Sequence, residues 1–262
     1  MLHYEKKVDA NRFAARSSKK GSESRYIIKC GKGYFVSSSD FCDDWEKVVS
    51  RYFKGKKVDI MKPSPLLTIM IPTTVDRREL FNALMVELNR QVRAFCEDWE
   101  VEIISNEDNK EISVGKKRQI LLEQAKGLFV VGFDSDDFPA PDYISEIVGA
   151  LRACNDDIDH IGFLENCNID GAISTSIFSI KYHKWAENAA GYDHIRCANP
   201  KSVIRREKAL QVGFKDMRWG EDTVFSETVT PLLKGEIFID KPLYNYIHKS
   251  SPYIERYGYD KD

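Results

Sequence analysis

The sequence predicts an α/β fold, a mostly parallel sheet flanked by helices, on three observations. From Leu66 onward, strand-like and helix-like stretches alternate, the pattern of a parallel sheet wrapped by helices. Leu128–Phe133 is an unbroken run of low polarity, as expected of a strand buried on both faces. Arg77–Phe95 sets Phe81, Leu84, Met85, Leu88, Val92 and Phe95 at helical spacing, which suits a helix covering such a sheet.

Taken in order, residues 1–24 are polar and basic, and Ser17–Ser24 (SSKKGSES) has the composition of a flexible linker. Arg25–Val36 reads as a hairpin turning at Gly31-Lys32-Gly33. Asp40–Phe53 reads as a short helix with Phe41, Trp45, Val48, Val49 and Tyr52 on one face. The charged stretch Lys54–Lys62 leads to Pro63 and Pro65, where the domain boundary falls. This divides a basic α+β appendage, residues 1–62, from the main α/β domain, residues 63–262.

In the main domain Leu67–Ile71 is a strand stopped by Pro72. The helix Arg77–Phe95, the strand Val101–Ile104 and the helix Ser113–Gln124 follow. Leu128–Phe133 is the third strand and Tyr143–Ala153 the third helix. Ile161–Ser179 alternates around Asp170-Gly171, a type I′ hairpin signal. Helices are expected at Arg205–Val212 and from about Glu221, the latter ended or kinked by Pro231. Ile237–Ile239 and Leu243–Ile247 close the pattern as short strands.

The net charge of −2 conceals an asymmetry: residues 1–62 hold 15 Lys/Arg against 8 Asp/Glu, and the remainder holds 24 against 33. A basic head of +7 on a body of −9 suits either a polyanionic partner or an ordinary solvated surface. Six cysteines are scattered without zinc-like spacing, as in a chain with reduced core thiols. No stretch is apolar enough to span a bilayer, and the N-terminus lacks the apolar core of a secretory signal, so a cytoplasmic protein is expected.

Open α/β sheets bind ligands at the carboxyl ends of their strands. Here those ends carry Pro72-Thr73-Thr74, Asn106-Glu107-Asp108 and Asp134-Ser135-Asp136-Asp137. The three aspartates repel one another by roughly 2–3 kcal/mol per pair at ~6 Å. A bound divalent cation reverses that sign, whereas a solvated, helix-capping turn leaves them in water. Gly115-Lys116-Lys117-Arg118 opens a helix, where backbone amides with Lys117 or Arg118 suit a diphosphate, or where the cations form a solvated turn. It is neither a P-loop nor a dinucleotide turn. Glu221-Asp222, after Trp219-Gly220, is either an acidic first helical turn favoured by the macrodipole or a general base. His248 is a surface histidine or a ligand.

The order of these motifs resembles the GT-A glycosyltransferases, specifically the large inverting family 2, over about 185 residues. The resemblance rests on Ile71-Pro72-Thr73, Gly115-Lys116-Lys117-Arg118-Gln119 and Asp134-Ser135-Asp136-Asp137. It continues through Arg205-Arg206-Glu207 to Gly213-Phe214, then Gly220-Glu221-Asp222 and Pro242-Leu243-Tyr244-Asn245-Tyr246 with His248.

It implies a metal-dependent inverting glycosyltransferase that uses a nucleotide-sugar donor, a UDP-sugar foremost, with Mn²⁺ or Mg²⁺. Asp134 would hold the ribose and help with metal, Asp136 would ligate the metal, and His248 would be a further ligand. Pro72, Thr73, Thr74, Asn106, Asp108, Lys117, Arg118 and Ser135 would line the nucleotide-sugar site. Trp219, Gly220 and Glu221 would lie on the acceptor side, with Asp222 as catalytic base. Asn106 departs from the acid that relatives often carry there, and Gln119 from their usual Asn. The candidate acceptors are a saccharide and a modified base in DNA, the latter reached through the basic head.

Two alternatives stay open on the residues. A nucleotidyltransferase should carry a Gly-rich phosphate loop after the first strand, and Pro72–Arg78 has no glycine. A non-catalytic nucleotide-sugar binding module would keep the sheet without the chemistry.

Overall fold

The computed structural model describes residues 64–248 and the strands at 2–4, 25–30, 33–37, 48–53 and 56–58. Two compact units divide the chain, residues 1–63 and 64–262.

In the first unit, β1 (Leu2–Tyr4), β2 (Arg25–Cys30), β3 (Gly33–Ser37), β4 (Val48–Phe53) and β5 (Lys56–Val58) form one antiparallel sheet in the order β1-β3-β2-β4-β5. The expected hairpin is β2 with β3, Cys30 standing opposite Gly33. The helix expected over Asp40–Phe53 is corrected at its end, because Val48–Phe53 is a strand paired to β2 and β5. Two valines, a tyrosine and a phenylalanine in six residues suit a pleated surface, and that preference overrides helical spacing read from so short a window. The rest of that helix and the Ser17–Ser24 linker lie outside the described residues.

The second unit runs β6 (Leu67–Thr74), α1 (Arg78–Phe95), β7 (Val101–Asp108), α2 (Val114–Gln124), β8 (Phe129–Gly132), β9 (Phe138–Pro139) and α3 (Tyr143–Ala153). It continues with β10 (His160–Ile169), β11 (Ala172–Phe178), β12 (Ala186–Ala189), β13 (Tyr192–Arg196), β14 (Val203–Arg205), α4 (Arg206–Val212), α5 (Glu221–Val229) and β15 (Glu236–His248). These strands form one mixed sheet, ordered β12-β13-β11-β10-β14-β8-β6-β7, with β15 on β10 and β9 on β15. The foreseen parallel core is β7-β6-β8.

Alternation along β6 sends Leu67, Ile69 and Ile71 to one face, against Leu84 and Leu88 of α1 and Ile144, Ile147 and Val148 of α3. Met70 faces the other way, against Leu121 and Leu122 of α2, Ala209 of α4 and Phe225 of α5. At β6 and β8 the sheet is therefore dry on both sides, which explains why these strands read as apolar runs.

The β10–β11 hairpin turns at Asp170 (φ 52°) and Gly171 (φ 90°), both left-handed as a two-residue type I′ turn requires. The last two predicted strands are one, β15, whose register against β10 shifts opposite Pro242, a residue without an amide to donate. At the amino ends of β10 and β15 a buried chain of side chains ties four segments. His160 bonds Glu236 Oε2 through Nδ1 (2.9 Å) and Ser202 Oγ through Nε2 (2.7 Å), while Ser179 Oγ donates to Glu236 Oε1 (2.8 Å). His160 and Ser202 are fully buried, so this serine–histidine–glutamate chain is a strut with no access for a substrate. Among the described residues no helix is long and apolar enough to cross a membrane, and Cys96, Cys154, Cys167 and Cys197 are free thiols.

Candidate active site

The site is assembled where β6, β7 and β8 end. Parallel register sets Pro72 beside Asn106, Thr73 beside Glu107 and Thr74 beside Asp108, so β7 extends four residues beyond its expected limit. After β8 the chain turns through Asp134–Asp137, the Asp137 amide donating to Asp134 O (3.1 Å). β15 then closes over this turn. Tyr244 Oη donates to Asp137 Oδ2 (2.7 Å), and the Ile247 amide donates to Asp137 Oδ1 (3.0 Å).

The helix carrying the basic run is pinned at its start. Ser113 caps α2 by accepting from the Lys116 amide (3.0 Å) and donates to Asp216 Oδ1 (2.5 Å). A side chain at Gly115 would bring a Cβ within 2.0 Å of Lys215 O, so only glycine lets the 213–220 loop lie against the helix. Gln119 accepts from the Phe214 amide (2.7 Å), which fixes the same loop from the next turn. That loop delivers Trp219, 74% exposed, and Gly220, whose φ of 77° turns the chain into α5. Glu221 and Asp222 form the first turn of α5, and the Thr223 amide donates to Asp222 Oδ1 (2.8 Å).

The three cations of the basic run part company. Lys116 is exposed. Lys117 is buried, donating to Thr73 O (2.6 Å) and pairing with Asp108. Asp108 also accepts from the amides of Lys110 and Ile112 and so holds the 108–112 turn. Arg118 is buried between Asp134 Oδ1 (2.7 Å) and Glu221 Oε1 (3.3 Å). It thereby joins the strand-end turn to the start of α5.

Two cations at the site give no signal in the sequence. Lys201 Nζ stands 3.3 Å from Asp137 Oδ2, 3.3 Å from Glu165 Oε2 and 3.8 Å from Asp134 Oδ2. The rings of Tyr244 and Tyr246 cover it at 4.8 and 4.2 Å. Arg77 Nη1 meets Asp136 Oδ1 at 3.1 Å across an exposed surface. Each arises from a meeting of distant segments.

Burial drives the acid–base state of these groups, and the cations correct it unevenly. At Asp134 burial raises the carboxyl pKa, but Arg118, Lys201 and Arg77 outweigh it and leave a net depression. At Asp136 burial prevails over Arg77, and Asp134 adds to the rise. Asp137 is likewise raised, by burial first and against the pull of Lys201. Glu221 is raised by burial against Arg118. Neighbouring carboxylates driven apart in this way are what functional sites display.

Four buried polar atoms here have no hydrogen-bond partner: Thr73 Oγ1, Thr74 Oγ1, Ser135 Oγ and Arg118 Nε, the last near Glu221 without hydrogen-bond alignment. Each costs roughly 1–3 kcal/mol if nothing satisfies it, so together they describe a surface shaped for a polar ligand.

His248 stacks on Tyr246, centroids 6.2 Å apart and rings 6° from parallel. Among the described residues no three His, Cys, Asp or Glu side chains are grouped to hold a metal ion. The pair Asp134 and Asp136 nevertheless fits a hard cation that arrives on a diphosphate, since Mg²⁺-like ions bind through one or two carboxylates plus phosphate oxygens. A polar cleft of about 520 Å³, lined by Asp156, Asp157, Asp159, Arg205, Glu207, Lys208 and Lys234, sits by the entrance to β10 and includes none of these groups.

Residues 85–212, from α1 through α4, match the family described as glycosyl transferase family 2. Among curated proteins none matches the chain. Among solved structures the chain is similar to residues 1–349 of TarS from S. aureus in complex with UDP-GlcNAc, with a TM-score of 0.50 and 14% identity, over 72% of this chain and 60% of that one. It is also similar to the same protein in complex with UDP, with a TM-score of 0.48 and 15% identity over 71% and 61%. A third is the mannosyltransferase PcManGT from Pyrobaculum calidifontis in complex with GDP-Man and Mn²⁺, with a TM-score of 0.44 and 13% identity over 70% and 57%. The chain thus spans about three fifths of the length of these structures. The likeness to the TarS structure shows a fold of the GT-A kind, and the match over residues 85–212 supports a family 2-like glycosyltransferase domain.

Proposed function

We propose that this protein moves a sugar from a nucleotide-sugar donor to an acceptor hydroxyl with inversion at the anomeric carbon. The observation that carries the reading is the set of unsatisfied polar atoms on Thr73, Thr74, Ser135 and Arg118, on the strand ends and helix that frame the turn bearing the partly exposed Asp136. A nucleoside diphosphate offers acceptor oxygens to each.

Asp136, with Asp134, would hold Mn²⁺ or Mg²⁺, and that ion supplies neutralisation of the negative charge left on the diphosphate. The Arg118 guanidinium lies on Asp134 and Glu221 and adds fixed positive charge without reorganising. Thr73, Thr74 and Asn106, adjacent across β6 and β7, form the wall for the base. Asp222, in the first turn of α5, takes the proton of the attacking hydroxyl. Trp219, exposed on the anchored loop just before it, offers the acceptor a flat apolar face.

A UDP-sugar is the first donor to test, since the S. aureus structure was solved with UDP-GlcNAc. For the acceptor we keep a saccharide and a modified DNA base. The second is supported by the first unit, whose described strands contain Arg25, Lys29, Arg51, Lys56 and Lys57 but no Asp or Glu. The free thiols support a cytoplasmic location.

The test is turnover of UDP- and GDP-sugars with and without Mn²⁺, with Asp136→Asn and Asp222→Asn as controls. Asp222→Asn is expected to lose roughly 10²–10⁴-fold in kcat while still binding nucleotide. Turnover that is indifferent to both substitutions sinks the reading.

A further inference from the structure

Arg77 and Asp136 make an ion pair unlike the others at the site. Asp134 is gripped by buried Arg118 and Lys201, Asp137 by Tyr244, the Ile247 amide and Lys201, and Glu221 by Arg118. Asp136 has only Arg77 as a side-chain ion-pair partner among the described residues, and the two side chains are 49% and 30% exposed. An exposed pair of this kind contributes little, so a divalent cation displaces the guanidinium at little cost.

The position of Arg77 gives it somewhere to go. It ends the 3₁₀ turn Val75–Arg77 that follows β6 directly, four residues along the chain from Thr73, whose hydroxyl has no partner. A long side chain there reaches phosphate oxygens as readily as a carboxylate, and guanidinium suits both through the same planar fork.

We propose that Arg77 is the exchangeable counter-ion of Asp136: it occupies the carboxylate in the donor-free protein, yields it to the cation carried by the nucleotide, and then pairs with the diphosphate. The proposal rests on the donor reading above. It makes opposite demands on one residue, which a merely structural role does not. Without nucleotide Arg77 competes with the metal, and with nucleotide it adds affinity.

The experiment measures Mn²⁺ binding to the donor-free full chain by electron paramagnetic resonance. Binding of UDP and of GDP in saturating Mn²⁺ is followed by calorimetry. Arg77→Ala is expected to bind Mn²⁺ more tightly, up to about fivefold, and to bind the nucleotide about fivefold to tenfold more weakly. Arg77→Lys, which keeps the charge, should lie close to the parent protein in the metal titration. Mn²⁺ affinity that is unchanged or weaker in Arg77→Ala overturns the exchange, as does nucleotide affinity that is unchanged or tighter. Arg77→Lys behaving as Arg77→Ala does in the metal titration overturns it too. A different failure is kept apart by Asp136→Asn: if that variant holds Mn²⁺ as the parent does, or if the parent binds neither UDP nor GDP, the donor reading itself falls.

Discussion

The Lys201 ammonium stands 3.3 Å from Asp137 Oδ2, and that contact joins the strand-end turn to the segment entering β14. Lys201 is a structural cation at the centre of a carboxylate cluster.

Replacing Lys201 by Met keeps the length and removes the charge. Asp134, Asp137 and Glu165 then lose their shared counter-ion. Breaking a buried pair in this way costs about 3–5 kcal/mol, which urea denaturation should report as a lower midpoint with an unchanged slope. Adding Glu165→Gln to the Met variant should recover part of the loss.

Gly115→Ala tests the seat of the 213–220 loop. The new Cβ, 2.0 Å from Lys215 O, forces backbone apart and is expected to destabilise by about 1–3 kcal/mol. Because the same loop carries Trp219 and leads into Asp222, turnover at a temperature where the variant is fully folded should drop further than the parent's, most of it in kcat.

Asp108 gives a pH signature. Burial pushes its carboxyl up, but Lys117 and the amides of Ile112 and Lys110 outweigh burial and bring it down to about 2. A carboxyl depressed in the fold stabilises above its unfolded value and loses that contribution as pH falls through the folded one. The window therefore runs from about pH 4 down to about pH 2. Asp108→Asn should flatten stability against pH across that window and cost on the order of 1 kcal/mol at neutral pH, discounted for the solvent that reaches the pair.

The polyanion reading of the first unit has its own measure. Changing Arg25, Lys29, Arg51, Lys56 and Lys57 to Gln in the full chain should weaken DNA binding and flatten its salt dependence, by about 0.9 in the log–log slope for each phosphate contact removed. An unaltered slope removes the idea of DNA as acceptor through this unit.

The layering of the main domain was legible because both faces of β6 and β8 are covered by helices, which leaves an apolar run in the sequence. Asp170-Gly171 was legible because the turn demands two left-handed residues. The edge strands β12 and β13 were not, since Ala186–Ala189 and Tyr192–Arg196 are short, partly exposed and charged. Val48–Phe53 was misread as helix because its apolar residues satisfy two periodicities at once. At the site the motifs gave the carboxylates but not their counter-ions. Arg77 meets Asp136 across 59 residues of chain, and nothing local to either records the meeting. Lys117 and Arg118 looked equivalent, yet one helical step sends them to Asp108 and to Asp134, because neighbours on a helix point about 100° apart.

The clasp of Asp137 by Tyr244 and Ile247 has a consequence for biosynthesis. The strands β6, β7 and β8 that bring the acidic turn to the sheet edge all precede residue 206, whereas the segment that clasps it, with the core residues Leu243 and Tyr244, comes only in the 240s. Until it is made, Asp137 has neither hydroxyl nor amide to settle on. The acidic turn is thus completed by a segment that follows its three strands in the chain, and a chain cut short of Tyr244 is expected to leave Asp137 without its clasp.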